Sequence, residues 1–416
     1  MRALYSLLLY LLLPVVLLRL WLRGRADPAC RRHWAERLGR DLPQGRGGVW
    51  LHAVSVGEVS AAEPLLHALL ARDPDRPVLV TVSTPGGRQT LQRLFGDTVQ
   101  CRYLPYDLPG PARWFVASLQ PDVAIFMEVE LWPNLYAELA ARGIALYLVN
   151  ARLSERSWRG YRRFGGLTRR TLQAVSHIAA QTDSDRARFI ELGAAPGAVS
   201  VTGNLKFDAR LPADLESRAQ RLRERWPGRQ PVWVAASTHE GEEGPLLEAH
   251  AGLLKRFPQA LLLLVPRHPE RAGSLLRACD RQGLTGGLYS AGPVDGAAVL
   301  LVDRLGLLVY CYAAADAAFI GGSLVERGGH NPIEALLAGA AVVSGPHTTN
   351  FADIYRQLQA AGAACTVTSG ETLAACLAEW FGDSQARSGA IEAGRRVVQE
   401  NRGALGRIVA LVDPAD

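Results

Sequence analysis

Glu58 closes the run W-L-H-A-V-S-V-G-E, where an apolar stretch gives way to residues of helical spacing. A carboxylate at that point is stabilised as an anion by the helix N-terminus, which by itself accounts for a helix-start residue. The same placement suits a general base that takes a proton from an attacking hydroxyl. His52 falls inside the preceding strand, where it reads as a packed side chain. Glu128 and Glu130 belong to M-E-V-E-L-W-P-N, at the end of a second apolar strand. The paired carboxylates of a retaining glycosidase flank opposite faces of a sugar, which neighbours on one strand end do not achieve. Glu128 is therefore expected to face a cleft and Glu130 to cap or pair locally. Lys206, in G-N-L-K-F-D, is one of two lysines among 46 basic residues; the other is Lys255. An ammonium in a chain that otherwise uses arginine marks a place where a compact charge fits and a planar fork does not, for example against a departing phosphate. The alternative is a plain surface lysine.

A second group of residues suits a nucleotide. Arg267, in V-P-R-H-P-E-R, follows an apolar strand and presents a guanidinium able to bind phosphate oxygens bidentately. Phe319 to Glu334 reads F-I-G-G-S-L-V-E-R-G-G-H-N-P-I-E: a strand, two Gly-Gly pairs, then a helix expected to start near Asn331-Pro332. Glycines admit close backbone approach and a helix N-terminus attracts anions, so the stretch is a candidate phosphate cradle, with Glu334 one turn in and placed to meet ribose hydroxyls. An ordinary strand-to-helix turn explains the same glycines. Gly306, in D-R-L-G-L-L, offers a backbone approach to a base or ribose. Asp183-Ser184-Asp185 imitates a metal-binding D-x-D, but it opens a helix, where capping is the simpler account.

These positions need elements to hold them. From Val49 apolar strands alternate with helical segments, restarting at Val232 after a charged, proline-bearing stretch, Asp208 to Pro231. That pattern predicts α/β architecture with two doubly wound parallel sheets, and ligands at the carboxyl ends of the strands, facing the cleft between the domains. The expected division is an anchor helix over 1–25, an N-terminal domain over 35–207, a linker over 208–230 and a C-terminal domain over 231–416. Ala3 to Leu22 is almost wholly apolar, close to the ~20 residues that cross a bilayer, and arginines follow it, which places the bulk of the chain in the cytoplasm. The net charge of +6 points to anionic partners; with no zinc-finger spacing and no RNA-recognition signature, nucleic acid is not expected. Six scattered cysteines, including Cys30, favour reduced thiols over a disulfide frame. Between Glu155 and Arg170, arginines interleave with Trp158, Tyr161 and Phe164, as on a membrane-facing or a plainly solvated surface.

Taken in order, H-A-V-S-V-G-E, E-V-E-L-W-P-N, N-A-R-L-S-E-R-S, G-N-L-K-F-D, P-R-H-P-E-R and G-G-S-L-V-E-R-G-G-H-N-P-I-E resemble the 3-deoxy-D-manno-octulosonic acid (Kdo) transferase family of GT-B glycosyltransferases. The resemblance spans about Val49 to Phe351 and extends to the N-terminal anchor. It implies two Rossmann-like domains behind a membrane-anchor helix. It also implies inverting transfer of Kdo from CMP-Kdo to a lipid A precursor (lipid IVA) at the cytoplasmic face of a bacterial inner membrane, on a phospholipid surface and without a metal or cofactor. By the same resemblance Glu58 is the catalytic base, and Glu128 and Lys206 stabilise the transition state. Pro266, Arg267, Leu305, Gly306, Leu307, Asn331, Pro332, Ile333 and Glu334 then contact CMP. Leu307 departs from the family pattern, which carries a polar or acidic residue there, and leaves a backbone contact open. Two rival activities remain: a sugar-nucleotide epimerase or hydrolase of the same architecture, and a non-catalytic lipid-binding protein.

Overall fold

A computed structural model describes residues 1–25, 28–41, 47–292 and 296–413. The side chain of Cys30 lies outside the described set. The chain divides into two compact units: unit 1 is Met1–Asp208 with Asn401–Asp416, and unit 2 is Ala209–Glu400.

Unit 1 is built on a seven-stranded sheet of β1 (Val49–His52), β2 (Val78–Val82), β3 (Gln100–Tyr103), β4 (Val123–Met127), β5 (Ala145–Ala151), β6 (His177–Ala180) and β7 (Val199–Val201). Their order is β3-β2-β1-β4-β5-β6-β7, and every pairing is parallel. Helices cover both faces, so strands such as V-L-V-T-V and V-A-I-F-M are buried along their whole length. Unit 2 repeats the plan with β8 (Val232–Thr238), β9 (Leu261–Pro266), β10 (Gly286–Leu288), β11 (Val299–Leu301), β12 (Ala317–Ile320), β13 (Ala341–Ser344) and β14 (Ala364–Thr366). Its order is β10-β11-β9-β8-β12-β13-β14, again parallel. Each sheet reverses its winding once, between β1 and β4 in unit 1 and between β8 and β12 in unit 2. Such a switch point opens a crevice at the carboxyl ends of the strands, where open α/β sheets bind ligands.

Two boundaries differ from the sequence expectation. The expected linker over 208–230 contains the helix Leu215–Arg223, whose Leu215, Ala219 and Leu222 are buried in unit 2. The C-terminus belongs to unit 1: the helix Ala404–Val412 buries Ala404, Ile408 and Val412 in the core around β1, β2 and β4. Asp208 fixes its start, accepting from the N–H groups of Gly403 and Leu405 at 2.8 Å each. Asp413 at its end meets Arg76 at 2.9 Å. About two and a half helical turns are thus recruited by a core that begins some 350 residues earlier in the sequence.

The N-terminal helix Arg2–Arg23 is long and apolar enough to cross a membrane and is 6% buried. Ser6 ties its first turns to unit 1 through Asn134 Oδ1 at 3.1 Å. The arginine–aromatic stretch folds as the helices Glu155–Arg163 and Gly165–Leu172. Trp158 and Tyr161 turn inward against the core, whereas Phe164 stays 62% exposed.

Candidate active site

In unit 1, Glu58 sits in the first turn of the helix Val56–Arg72, directly after β1. Its Oε2 accepts the N–H of Val54 at 2.8 Å, and Ser55 Oγ donates to Oε1 at 3.5 Å. The carboxylate is thereby folded back over the end of β1. Burial pushes its pKa up to about 8, the bond from Val54 opposes this, and the negative charges of Glu128 and Glu130 add to the rise. At neutral pH Glu58 therefore holds its proton most of the time.

Across the switch point, Glu128 follows β4 with φ at 55°. A left-handed backbone at a non-glycine residue costs about 1–3 kcal/mol and persists only where the surroundings impose it. Here the N–H of Glu128 bonds to Val149 O on neighbouring β5 at 2.9 Å, which turns the side chain off the sheet. Lys206 Nζ lies 3.7 Å from Glu128 Oε1. The turn that carries it, Leu205–Asp208, is held by Asn150, a buried residue near the end of β5 that also has positive φ, 52°. Asn150 Oδ1 accepts the N–H of Leu205 at 3.0 Å. Asn150 thus positions the lysine, and sequence reasoning missed it: its only signal is an Asn inside N-A-R-L-S-E-R-S.

Glu130 is expected to cap or pair locally, and a bond from nearby Trp132 opposes the rise in its pKa. Its carboxyl is pushed up to about 7 by burial, and the charge of Glu128 contributes. Three carboxyls and one ammonium thus share this strand end. His52 is fully buried and bonds through Nδ1 to Thr81 O and Oγ1 at 3.0 and 2.9 Å. Desolvation drives its pKa down to about 3, so it stays neutral and structural. Asp185 closes a helix cap, accepting from Thr182 Oγ1 at 2.6 Å and from the N–H of Leu153 at 2.8 Å.

In unit 2 the glycine-rich run after β12 is organised by a residue the sequence reading passed over. Glu242, wholly buried in the loop after β8, accepts N–H groups from Gly322, Ser323 and Leu324 at 2.7, 3.0 and 2.9 Å, and from His239 at 2.9 Å. The cradle expected from the first Gly-Gly pair is already filled by this carboxylate. Gly321 is needed for space, because a Cβ there would lie 2.6 Å from the carbonyl oxygens of Ala236 and Ser237. The following helix is Ile333–Ala338, starting slightly later than expected, and Asn331 Oδ1 caps the N–H of Ile333 at 3.1 Å. Pro332 and Ile333 are buried and Glu334 is exposed on the first turn.

Pro266 ends β9, and Arg267 follows it, exposed, its N–H bonded to Thr238 O at 3.0 Å. Leu305 is 73% exposed, Gly306 has φ at 83°, which only glycine adopts readily, and Leu307 precedes the helix Leu308–Ala313. Arg267 and the run 331–334 follow β9 and β12, which flank β8 in the sheet. The turn over 328–334 follows a strand at the switch point, with Arg267 two strands over, a placement that suits a nucleotide phosphate.

Comparison with known proteins agrees with this architecture. A solved UDP-GlcNAc 2-epimerase from Neisseria meningitidis, bound to UDP-GlcNAc, superposes with a TM-score of 0.61 over 88% of this chain and 98% of its own, at 13% identity, a likeness of fold. The two parallel-sheet units define a protein of the two-domain GT-B type. Residues 32–209 match the model of the family described as 3-deoxy-D-manno-octulosonic-acid transferase (kdotransferase). The 3-deoxy-D-manno-octulosonic acid transferase of Haemophilus influenzae is 37% identical over 99% of this chain and 98% of its own length. That of Bordetella pertussis is 39% identical over 98% and 97%. The chain belongs to the Kdo transferase family, glycosyltransferases of lipopolysaccharide biosynthesis.

Proposed function

We propose that the chain transfers Kdo from CMP-Kdo to a lipid A precursor, lipid IVA, with inversion at the anomeric carbon. The observation that carries this reading is the convergence of Glu58, Glu128 and Lys206 at one switch point of unit 1. In the fraction of molecules in which Glu58 is ionised, a hydroxyl of the acceptor gives its proton to the Glu58 carboxylate while its oxygen attacks the anomeric carbon. The bond from that carbon to the phosphate oxygen breaks, and its electron pair leaves with CMP. Attack from the side opposite the leaving group inverts the configuration. Positive charge developing at the sugar is stabilised by Glu128, since fixed charge aimed at a developing charge favours the transition state. Lys206 holds Glu128 in place and offers its ammonium to the leaving phosphate or the sugar carboxylate.

Unit 1 is assigned the acceptor and unit 2 the nucleotide. The cytidine and its single phosphate are held by Pro266, Arg267, the backbone of Leu305 to Leu307, and Asn331 to Glu334. Cationic side chains suffice to neutralise one phosphate. The helix Arg2–Arg23 anchors the enzyme to the phospholipid of the inner membrane, with both units on the cytoplasmic side.

Incubation of the purified full chain with CMP-Kdo and lipid IVA, followed by mass spectrometry of the acceptor, tests the reading. Transfer adds whole Kdo units to the acceptor and releases CMP. Consumption of CMP-Kdo with unchanged acceptor mass would mean a hydrolase or epimerase, and no consumption would mean a binding protein.

A further inference from the structure

His239 and His330 meet in unit 2, one from the loop after β8 and the other from the loop after β12. Their ring planes are 8° apart, their centroids 5.2 Å and their two Nε2 atoms 3.0 Å from each other, so the rings lie end to end and nearly coplanar. Both residues are held by their backbones. The N–H of His239 bonds to Glu242, and His330 O accepts from the hydroxyl of buried Tyr355 at 3.2 Å.

An Nε2···Nε2 bond fixes the protonation chemistry. In the neutral pair one ring donates Nε2–H and keeps a bare Nδ1, while the other accepts and carries Nδ1–H. A single added proton goes to the bare Nδ1 and leaves the shared bond intact. The pair then carries one positive charge and two Nδ1–H donors. Without a ligand this state is disfavoured. Burial lowers the pKa of His330 to about 4, with His239 and Arg267 adding to the fall; burial lowers His239 too, Glu242 opposing, and Arg327, His268 and Arg267 reinforcing it. Glu240 and Glu242 share the loop of His239, Arg267 and His268 come from the end of β9, and Arg327 from the run after β12. An anion seated among Arg267 and Arg327 removes the repulsion that keeps the pair neutral and supplies the partner that an imidazolium lacks.

We propose that the end-to-end His239–His330 pair is a phosphate-recognition element of unit 2, which takes up one proton as the nucleotide phosphate binds and presents an Nδ1–H group to it. This rests on the assignment of CMP to unit 2. Calorimetric titration of the detergent-solubilised full chain with CMP, at pH 7.5 in buffers of different ionisation enthalpy, counts the protons. The second pKa of a phosphate monoester is about 6, so the free ligand arrives as the dianion. Expected are 0.5–1 proton taken up per CMP and an affinity that falls about three- to tenfold per pH unit between pH 7 and 8. His330→Gln and His239→Gln, each checked for folding, should bind CMP more weakly and with proton uptake near zero. Uptake near zero in the parent chain overturns the proposal, as does equal uptake in either folded variant. Failure of the parent to bind CMP at all would instead overturn the nucleotide assignment on which it depends.

Discussion

Replacing Glu58 by Gln should stabilise the protein while removing its activity, and the stabilisation should depend on pH. Burial and two neighbouring carboxylates raise the Glu58 pKa from an ordinary 4.5 to about 8. The folded chain therefore binds this proton more tightly than the unfolded chain does. The stability Glu58 contributes is complete below pH 4.5 and is lost as pH rises toward 8. At about 1.36 kcal/mol per pH unit the full difference at pH 8 is roughly 4 kcal/mol. Part of the carboxyl reaches solvent, which screens the neighbouring charges, so ~2 kcal/mol is the working figure. Gln cannot ionise, and its amide oxygen can still accept the N–H of Val54. For a domain of this size ~2 kcal/mol corresponds to roughly 4–8 °C in Tm. Glu58→Gln should thus melt several degrees above the parent at pH 8 and level with it near pH 4.5, while turnover falls about 10²–10⁴-fold through loss of the base. Differential scanning calorimetry across that range, with Kdo transfer measured in parallel, decides the matter. A Tm difference that stays flat between pH 5 and 8 would refute the burial argument, and near-parental turnover would refute the base.

The same carboxyl sets a pH profile: kcat/KM should rise about tenfold per pH unit below pH 8 and level off above it, and Glu130→Gln should move that limb to lower pH by removing a negative neighbour. Lys206→Arg should slow single-turnover transfer on the order of 100-fold through misplacement of the charge, whereas Lys255→Arg, on an exposed helix end, should match the parent; equal rates for the two would remove the geometric role of Lys206. Glu242→Ala strands four N–H groups and should cost at least about 3 kcal/mol, read as a fall in Tm, with Glu242→Gln intermediate; an unchanged Tm would show that the loop after β12 does not depend on this carboxylate.

Legibility from sequence followed burial. Strands covered on both faces, such as Val78–Val82, Val123–Met127 and Ala317–Ile320, are continuous apolar runs and are read directly. Gln100–Tyr103, Gly286–Leu288 and Ala364–Thr366 are edge strands, short and partly exposed, so their composition carries no comparable signal. Glu58, Glu128 and Lys206 stood out because each follows an apolar run or breaks a compositional habit. Glu242 and Asn150 did not, since their work is to satisfy backbone groups of segments more than 50 residues away. The proximity of His239 to His330 likewise depends on β8 and β12 being neighbours, which no local pattern reveals. The recruitment of Ala404–Val412 by unit 1 is of the same kind.

That last feature bears on the order of events during synthesis. Ala404, Ile408 and Val412 complete an apolar core whose other members, from Val49 to Leu205, leave the ribosome before any of unit 2. At about 5–20 residues per second, the 192 residues of Ala209–Glu400 take roughly 10–40 s to make. For that interval the helix Val56–Arg72 and the turn Leu205–Asp208 lack the last helix, which packs on both, while unit 2 has its whole sequence in hand as soon as Glu400 emerges. The half of the enzyme made first is thus the half finished last. A ribosome that stalls just after Glu400 would release a chain with a complete unit 2 and a unit 1 whose apolar core stays open, a substrate for chaperones.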